Sequence, residues 1–323
     1  MKRIVSIFLF SVCAFSLSAK KQQPQSLSVE REQQFTYYFY AAKQSLDQER
    51  FPEALMQLLF CGQLNPQDAT TKDYLGVIYN ALKQPEKGFE YFRQAYLLDP
   101  RDHWYHYALL LYKNDDKHSR KELLAVMKQA TRLNPKDASV WDYMRQAALV
   151  NGKYNQAIQA QDRIDQLLGY DGMSAINRYR IYVIQGDLKK AMCAIDDYLV
   201  LYPDDLRFLL SRADLLTAIQ APTDQLLENY EHILRIDPAN LMILNNYAYL
   251  LATSGGDLRK AEQMSQQTIR EQPENPTFLD TYAWILHLQG QDSLAAFYIR
   301  KALQNATPDE RTEIEAHYHA IIK

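Results

Sequence analysis

Prolines punctuate this chain at a fixed step. A Leu or Ile stands two residues before proline in Leu64-Asn65-Pro66, Leu98-Asp99-Pro100, Leu133-Asn134-Pro135, Leu201-Tyr202-Pro203 and Ile236-Asp237-Pro238, and Pro273 and Pro308 continue the series without the apolar partner. The intervals are 34, 35, 68, 35, 35 and 35 residues, so the long one is a double step with one proline missing. A repeat of this length admits few folds. It is the signature of helical hairpins stacked in a solenoid, each hairpin covering the apolar face of the next. Proline supplies the stop, because it has no N–H to give the preceding turn and drives the residue before it out of the α region. The missing proline falls at Gly169, where a glycine in the left-handed conformation ends a helix equally well.

Two residues after these stops stands a short side chain suited to start the next helix: Asp68, Asp102, Asp137, Asp171, Asp205, Asn240 and Asn275. Each accepts a hydrogen bond from a free N–H of the first turn, a contribution of about 1 kcal/mol per helix. A second landmark recurs inside the units. Gly152, Gly186, Gly256 and Gly290 stand five residues before Ala157, Ala191, Ala261 and Ala295. The glycine is expected to end the first helix, and the alanine to let the two helices of a hairpin cross closely. Ala54 and Gly88 fill the alanine slot in the first two units, and Ala95, Ala130 and Ala302 recur seven residues further on. Cys61 occupies that later slot, which predicts packing, and Cys193 reads in the same way as a small buried hydrophobe.

Together these landmarks resemble the tetratricopeptide repeat, a helix-turn-helix of 34 residues. The likeness is closest in Leu244-Asn245-Asn246-Tyr247-Ala248-Tyr249-Leu250-Leu251 and Leu279-Asp280-Thr281-Tyr282-Ala283-Trp284-Ile285-Leu286, with Tyr74-Leu75-Gly76-Val77-Ile78-Tyr79 a further copy. The resemblance implies an all-α, right-handed α-solenoid of eight units over 35–68, 69–102, 103–137, 138–171, 172–205, 206–240, 241–275 and 276–309. Residues 310–323 then form a capping helix, with Asp309, Glu310 and Glu313 near its positive end. Two units depart from the pattern. In the third, Trp104 and His106 compete for one aromatic position and an extra residue must sit near 114–118. In the sixth, Leu226 replaces alanine after a longer turn, with Thr223 or Asp224 as helix cap.

The N-terminus carries an address. Lys2 and Arg3 precede a 14-residue apolar run, Ile4 to Leu17, and a polar stretch follows from Lys20. This reads as a secretory signal over residues 1–19, cut near 18 or 19, because the run falls short of the roughly 20 residues that span a bilayer. Lipid attachment at Cys13 is the alternative, disfavoured by Val12 beside it. Residues 20–34 read as a flexible leader. The expected product is a chain exported to the periplasm or outer-membrane surface of a bacterium, with its formal charge moved from −3 to −5 by loss of the two basic residues. Lys and Arg are scattered rather than clustered, so nucleic acid is a poor partner.

The family's groove lies along the first helices of the units, at the fifth, ninth and twelfth positions. Carried over, these include Phe39, Lys43, Asp73, Val77, Asn80, Asp142, Gln146, Arg180, Asp214, Asn245, Tyr249, Asp280, Trp284 and His287. The implied partner is a protein or peptide, and the same groove would serve a second copy of the chain. Tyr249 and Trp284, one residue after Ala248 and Ala283, are the strongest local candidates, being aromatic with a polar handle. The clamp with which some family members hold a terminal carboxylate needs a Lys-Asn-Asn-Lys-Arg set; Asn245 and Asn246 are adjacent, but no Lys or Arg stands at the matching positions of the eighth unit. Nothing in the sequence marks a catalytic site or a cofactor. Only 10 residues are glycine, and no phosphate loop, nucleophile elbow or His-Glu-x-x-His motif is present. A metal-dependent or carbohydrate-processing enzyme is the competing reading, resting on His103 and His106 beside Asp102, on the pair His317 and His319, and on the aromatics. A stable metal site wants three or four converging ligands, and Asp102 is expected to be spent as a cap.

Overall fold

The computed structural model describes residues 27–114 and 116–322. The expected signal, residues 1–19, lies outside the described residues, as does the expected leader up to residue 26. Seventeen α-helices and no strand are found among the described residues. The chain divides into two compact bodies, Met1–Asn134 and Pro135–Lys323.

The first body contains α1 (Val29–Asp47), α2 (Phe51–Leu64), α3 (Ala69–Ala81), α4 (Pro85–Leu98), α5 (Tyr105–Asn114) and α6 (Lys117–Leu133). Each helix packs on the next. α1 starts at Val29, inside the stretch expected to be a flexible leader through residue 34. Ser28 accepts a hydrogen bond from the Arg31 N–H, and Glu30 and Glu32 in the first turn favour the positive end of the helix. The second body holds α7 (Ala138–Val150), α8 (Tyr154–Leu168), α9 (Gly172–Gln185), α10 (Leu188–Leu201), α11 (Leu206–Ala218), α12 (Thr223–Ile236), α13 (Leu241–Thr253), α14 (Leu258–Glu271), α15 (Pro276–Leu288), α16 (Asp292–Asn305) and α17 (Pro308–Ile321). Here too successive helices pack in order, and α15 also lies against α13 and α17.

The expected caps form at six of seven junctions. Asp68, Asp137, Asp171, Asp205, Asn240 and Asn275 each accept from a backbone N–H two or three residues ahead. Asp102 does not cap α5. The chain makes another turn first, with the His103 N–H bonded to the Asp99 carbonyl, and α5 opens at Tyr105 behind the buried Trp104. At α12 neither Thr223 nor Asp224 is the cap; Pro222 precedes the helix and Thr223 is its first residue. Pro308 is likewise the first residue of α17, where its missing N–H goes unneeded, and Thr307 and Glu310 form a reciprocal capping box.

One turn recurs in seven hairpins. In each, the N–H that follows a residue of positive φ bonds to the carbonyl five residues back: Arg50 to Ser45, Gln84 to Tyr79, Lys153 to Ala148, Asp187 to Tyr182, Ala221 to Leu216, Gly256 to Leu251 and Gln291 to Leu286, all at 2.8–2.9 Å. This closure satisfies a carbonyl that the helix end leaves free. Glycine carries the positive φ in four of them, but Glu49, Lys83 and Gln220 carry it in the others, with φ of 56°, 58° and 51°. In the α13–α14 hairpin the left-handed residue is Gly255, not the expected Gly256, because α13 runs to Thr253 and Ser254 ends it.

The small-residue slots are packing contacts. Ala54, Ala157, Ala191, Ala261, Ala295, Ala95, Ala130, Ala302 and Cys61 are fully buried. The Cys61 thiol donates weakly to the Phe35 carbonyl, and burial, helped by the charge of Asp68, pushes its pKa up to about 11. Cys193 departs from expectation: α10 buries Ala191, Ala194, Ile195 and Tyr198, and residue 193 lies off that stripe, exposed.

The hairpin turn generates a paired prediction. Lys83→Gly relieves a left-handed side-chain residue and should stabilise the protein, while Gly186→Ala, at φ 80°, should destabilise it, each by about 1 kcal/mol. Denaturant midpoints moving in opposite directions would show it; movement in the same direction would contradict the turn assignment.

Candidate functional site

The residues expected to line a groove are spread over both bodies, and most already have partners. In the first body, Phe39 is packed against Phe35 and Tyr74, with ring centres 5.7 and 5.6 Å away. Lys43 is exposed on α1. The Asp73 carboxylate accepts from His106 Nδ1 at 2.9 and 3.0 Å, and the His106 ring lies 4.8 Å from that of Phe92. Asn80 folds its amide over Gly88, where a Cβ would stand 2.7 Å from its Oδ1. His103 stands before α5 rather than on it, with Nδ1 4.0 Å from Asp73. The two histidines thus converge on Asp73, not on Asp102. Among the described residues no group of three or more His, Cys, Asp or Glu is placed to hold a metal ion.

In the second body, Gln146 donates to Asp142 at 2.7 Å, and Arg145 also reaches that carboxylate. Arg180 and Asp214 are exposed. His287 Nδ1 contacts Asp292 at 2.8 Å, across the turn into α16. The remaining four, Asn245, Tyr249, Asp280 and Trp284, come together, and what gathers them is α17.

α17 lies against α15 and presents His317 to it. His317 Nδ1 donates to Asp280, 2.9 and 2.8 Å from its two oxygens. The imidazole stacks on Trp284 with ring centres 4.4 Å apart and an interplanar angle of 23°, and stands 5.9 Å from Tyr249. Trp284 is therefore largely committed to packing, and its indole nitrogen is buried without a partner. Burial of the His317 ring opposes its charge, but the hydrogen bond and charge of Asp280, together with Glu313, outweigh that and raise its pKa above 6.5.

Beside this contact a pocket of about 240 Å³ opens between α13, α15 and α17. α13 supplies Asn245 and Tyr249, α15 supplies Asp280, and α17 supplies Glu310 and Glu313. Asn245 is 3% exposed, and its Oδ1 accepts no hydrogen bond. Glu310 is held below the usual carboxylate range by the Thr307 hydroxyl and N–H. The Tyr249 phenol is pushed up, first by burial and then by the charges of Glu313 and Asp280. The site is thus a small cleft with a negative field and an aromatic wall. Sequence reasoning did not place His317 or Glu313 here. The available signal was the repetition of one pairing: His106 follows Asp73, and His317 follows Asp280, by about one repeat.

The His317–Asp280 contact predicts a pH dependence. A histidine whose folded pKa is raised adds stability in full below its unfolded value, and that stability fades as pH rises through the folded value. The groups facing it are Asp280, Glu313, Tyr249 and Trp284. The melting temperature of the wild type should therefore fall from pH 6 to pH 9 relative to His317→Gln. His317→Ala, which also strands Asp280, should cost about 1–3 kcal/mol at pH 6. A parallel pH profile in the two proteins would show that the pair contributes nothing.

No protein-family profile matches the chain, and no curated protein matches it. Solved structures do resemble it. The structure of Naa15/Naa10 bound to HypK-THB superposes with a TM-score of 0.62 at 14% identity, over 88% of this chain; the chain spans 46% of the chain it matches there. The C-terminal part of a TPR repeat-containing protein from Cytophaga hutchinsonii superposes with a TM-score of 0.53 at 16% identity, over 75% of this chain and 98% of that one. With its hairpin pairs, their shared turn and these likenesses, the chain has the fold of the tetratricopeptide-repeat proteins.

Proposed function

We propose that this protein is a non-enzymatic scaffold of the bacterial cell envelope that holds a protein or peptide on the first-helix side of its second body. The observation that carries the reading is the cleft of about 240 Å³ between α13, α15 and α17, in which Tyr249 from α13 stands with Asp280 from α15 and Glu310 and Glu313 from α17. Tyr249 on the rim adds the kind of amphipathic ring that dominates binding hot spots. The envelope location rests on the basic flank, the apolar run and the small residues of positions 1–19. Among the described residues, no helix is long and apolar enough to cross a membrane.

Two measurements test this. A photo-crosslinking residue placed at Glu313 in living cells should capture a protein, whereas one placed at Gln304 on α16 should not; Tyr249→Ala should reduce the adduct about tenfold, as loss of a hot-spot ring does. Identical adducts at both positions, or none at either, would remove the scaffold assignment. Mass spectrometry of the protein purified from its own cells should find the N-terminus at residue 19 or 20. An intact Met1 in an unprocessed protein would remove the export assignment.

A further inference from the structure

We infer that the outward face of α1 is the contact through which two copies of this chain pair about a two-fold axis, with their first helices antiparallel. The inference concerns the first body and stands apart from the cleft of the second.

α1 buries Ala42 and Ser45, and its Tyr38 and Phe39 pack on Phe60 and Tyr74. Those contacts leave the opposite side bare. Gln33, Thr36, Tyr37 and Tyr40 recur there at the i, i+3, i+4, i+7 spacing of one helix face, with Val29 a turn before and Gln44 a turn after. Val29, Tyr37 and Tyr40 are 73%, 70% and 67% exposed. Exposed apolar residues standing singly are ordinary. What sets this stripe apart is the charge around it. α1 also carries Glu30, Arg31, Glu32, Lys43 and Asp47, and none of them interrupts the run from Gln33 to Tyr40 on that face. An uncharged centre bearing tyrosines inside a charged rim is the anatomy of a protein interface. The rings are also held in advance. Tyr37 lies edge-on to Tyr38 with ring centres 5.2 Å apart, and Tyr40 edge-on to Phe39 at 6.4 Å, so less side-chain freedom is lost on contact.

The order of the charges selects a second copy as the occupant. Glu32 and Lys43 are exposed and eleven residues apart, which is three turns, so both lie on one flank of the stripe. Their midpoint falls beside Tyr37, in the middle of the stripe. A two-fold axis there turns the copy end for end and keeps flank against flank, so Glu32 of each chain meets Lys43 of the other. One operation makes two ion pairs. Tyr37 then lies beside Tyr37 of the copy, and Tyr40 near Thr36 of the copy. Asp47 falls at the start of the other α1, where free N–H groups favour a negative charge. The stripe is thus complementary to itself. From Val29 to Gln44 it is about 22 Å long at 1.5 Å per residue. A helix pair of that length buries less than the roughly 1,200 Å² at which stable interfaces begin, so a reversible dimer of micromolar affinity is expected.

The test is sedimentation velocity of the full chain from about 1 to about 200 µM, the range in which such a dimer forms and dissociates. Monomer should pass to dimer across it. Tyr37→Glu should weaken association at least about tenfold, since it sets a charge against its own copy at the centre of the contact. Tyr37 is exposed, so an unchanged melting temperature at low concentration separates lost pairing from lost folding. Val200→Glu, at an apolar position of α10 that is 80% exposed, should leave association as it was. Glu32→Lys and Lys43→Glu should each weaken the dimer, and the variant carrying both should recover it, because only charges that face each other can be exchanged without loss. Four outcomes would overturn the assignment: a monomer at every concentration, a dimer indifferent to Tyr37→Glu, a dimer equally sensitive to Val200→Glu, or a double variant no stronger than either single one. Capture of a different protein, and no second copy, by a photo-crosslinking residue at Tyr40 would overturn it as well.

Discussion

Everything in this fold depends on one backbone closure, the bond from the N–H after a left-handed residue to the carbonyl five residues before it. It ends the first helix of a hairpin and reverses the chain within a few residues, so the second helix must return along the first. Seven hairpins share it. Because the closure is a backbone requirement, it is met whether or not the sequence offers the easiest residue: Gly152, Gly186, Gly255 and Gly290 adopt it freely, while Glu49, Lys83 and Gln220 adopt it against a steric penalty. Their side chains are exposed, and the backbone bond of the residue that follows each holds the turn closed. The small residues five or six positions after the turn, Ala54, Gly88, Ala157, Ala191, Ala261 and Ala295, then sit at the crossing of the paired helices, where a larger side chain would hold them apart. Turn and crossing are one device.

Repetition also places the same side chain in the same local frame again and again, and the chain uses this at two sites. Asp73 and Asp280 hold the same position on the first helix of their units, and each accepts from a histidine of the helix that follows its hairpin, His106 or His317. The surroundings then differ. His106 leans on Phe92, whereas His317 lies on Trp284 beside Tyr249. In the second case the histidine belongs to α17, so the ion pair fixes the helix that covers the last hairpin. Ile314 and Ile321 on α17 join Leu279, Tyr282, Ala283 and Leu286 in one apolar cluster. This supplies the area, and the buried pair supplies the register. The cleft is the space left between α13, α15 and the start of α17.

The features that the sequence made legible are those that obey a local rule. Short polar caps two residues after a stop, a proline at a helix end and a small residue at a crossing each act over a few positions, and they read correctly at Asp68, Asp137, Asn240, Ala157 and Ala261. Where they misled, a neighbour decided. Burial of Trp104 and a further turn displaced the start of α5 beyond Asp102. One more residue in the turn, Gly256 between the left-handed Gly255 and the Asp257 cap, left the left-handed position at Gly255 rather than Gly256. A cap at Ser28 drew helix out of the expected leader. Cys193 fell outside the buried stripe of α10 because its helix phase, not its size, sets its exposure.

The candidate site divides along the same line. By itself the sequence determined that paired helices recur at a step of 34 or 35 residues, and that Asn245, Tyr249, Asp280 and Trp284 hold matched offsets within them. A repeat fixes phase, and phase can be counted. The tertiary structure decided what those side chains do: that Trp284 is stacked under His317, that Asp280 is paired, and that Asn245 is buried beside a cleft. Those outcomes depend on how α17 lies across α15. That placement comes from the summed packing of a nonrepeating helix on the end of a repeating one, for which no periodicity exists to be read.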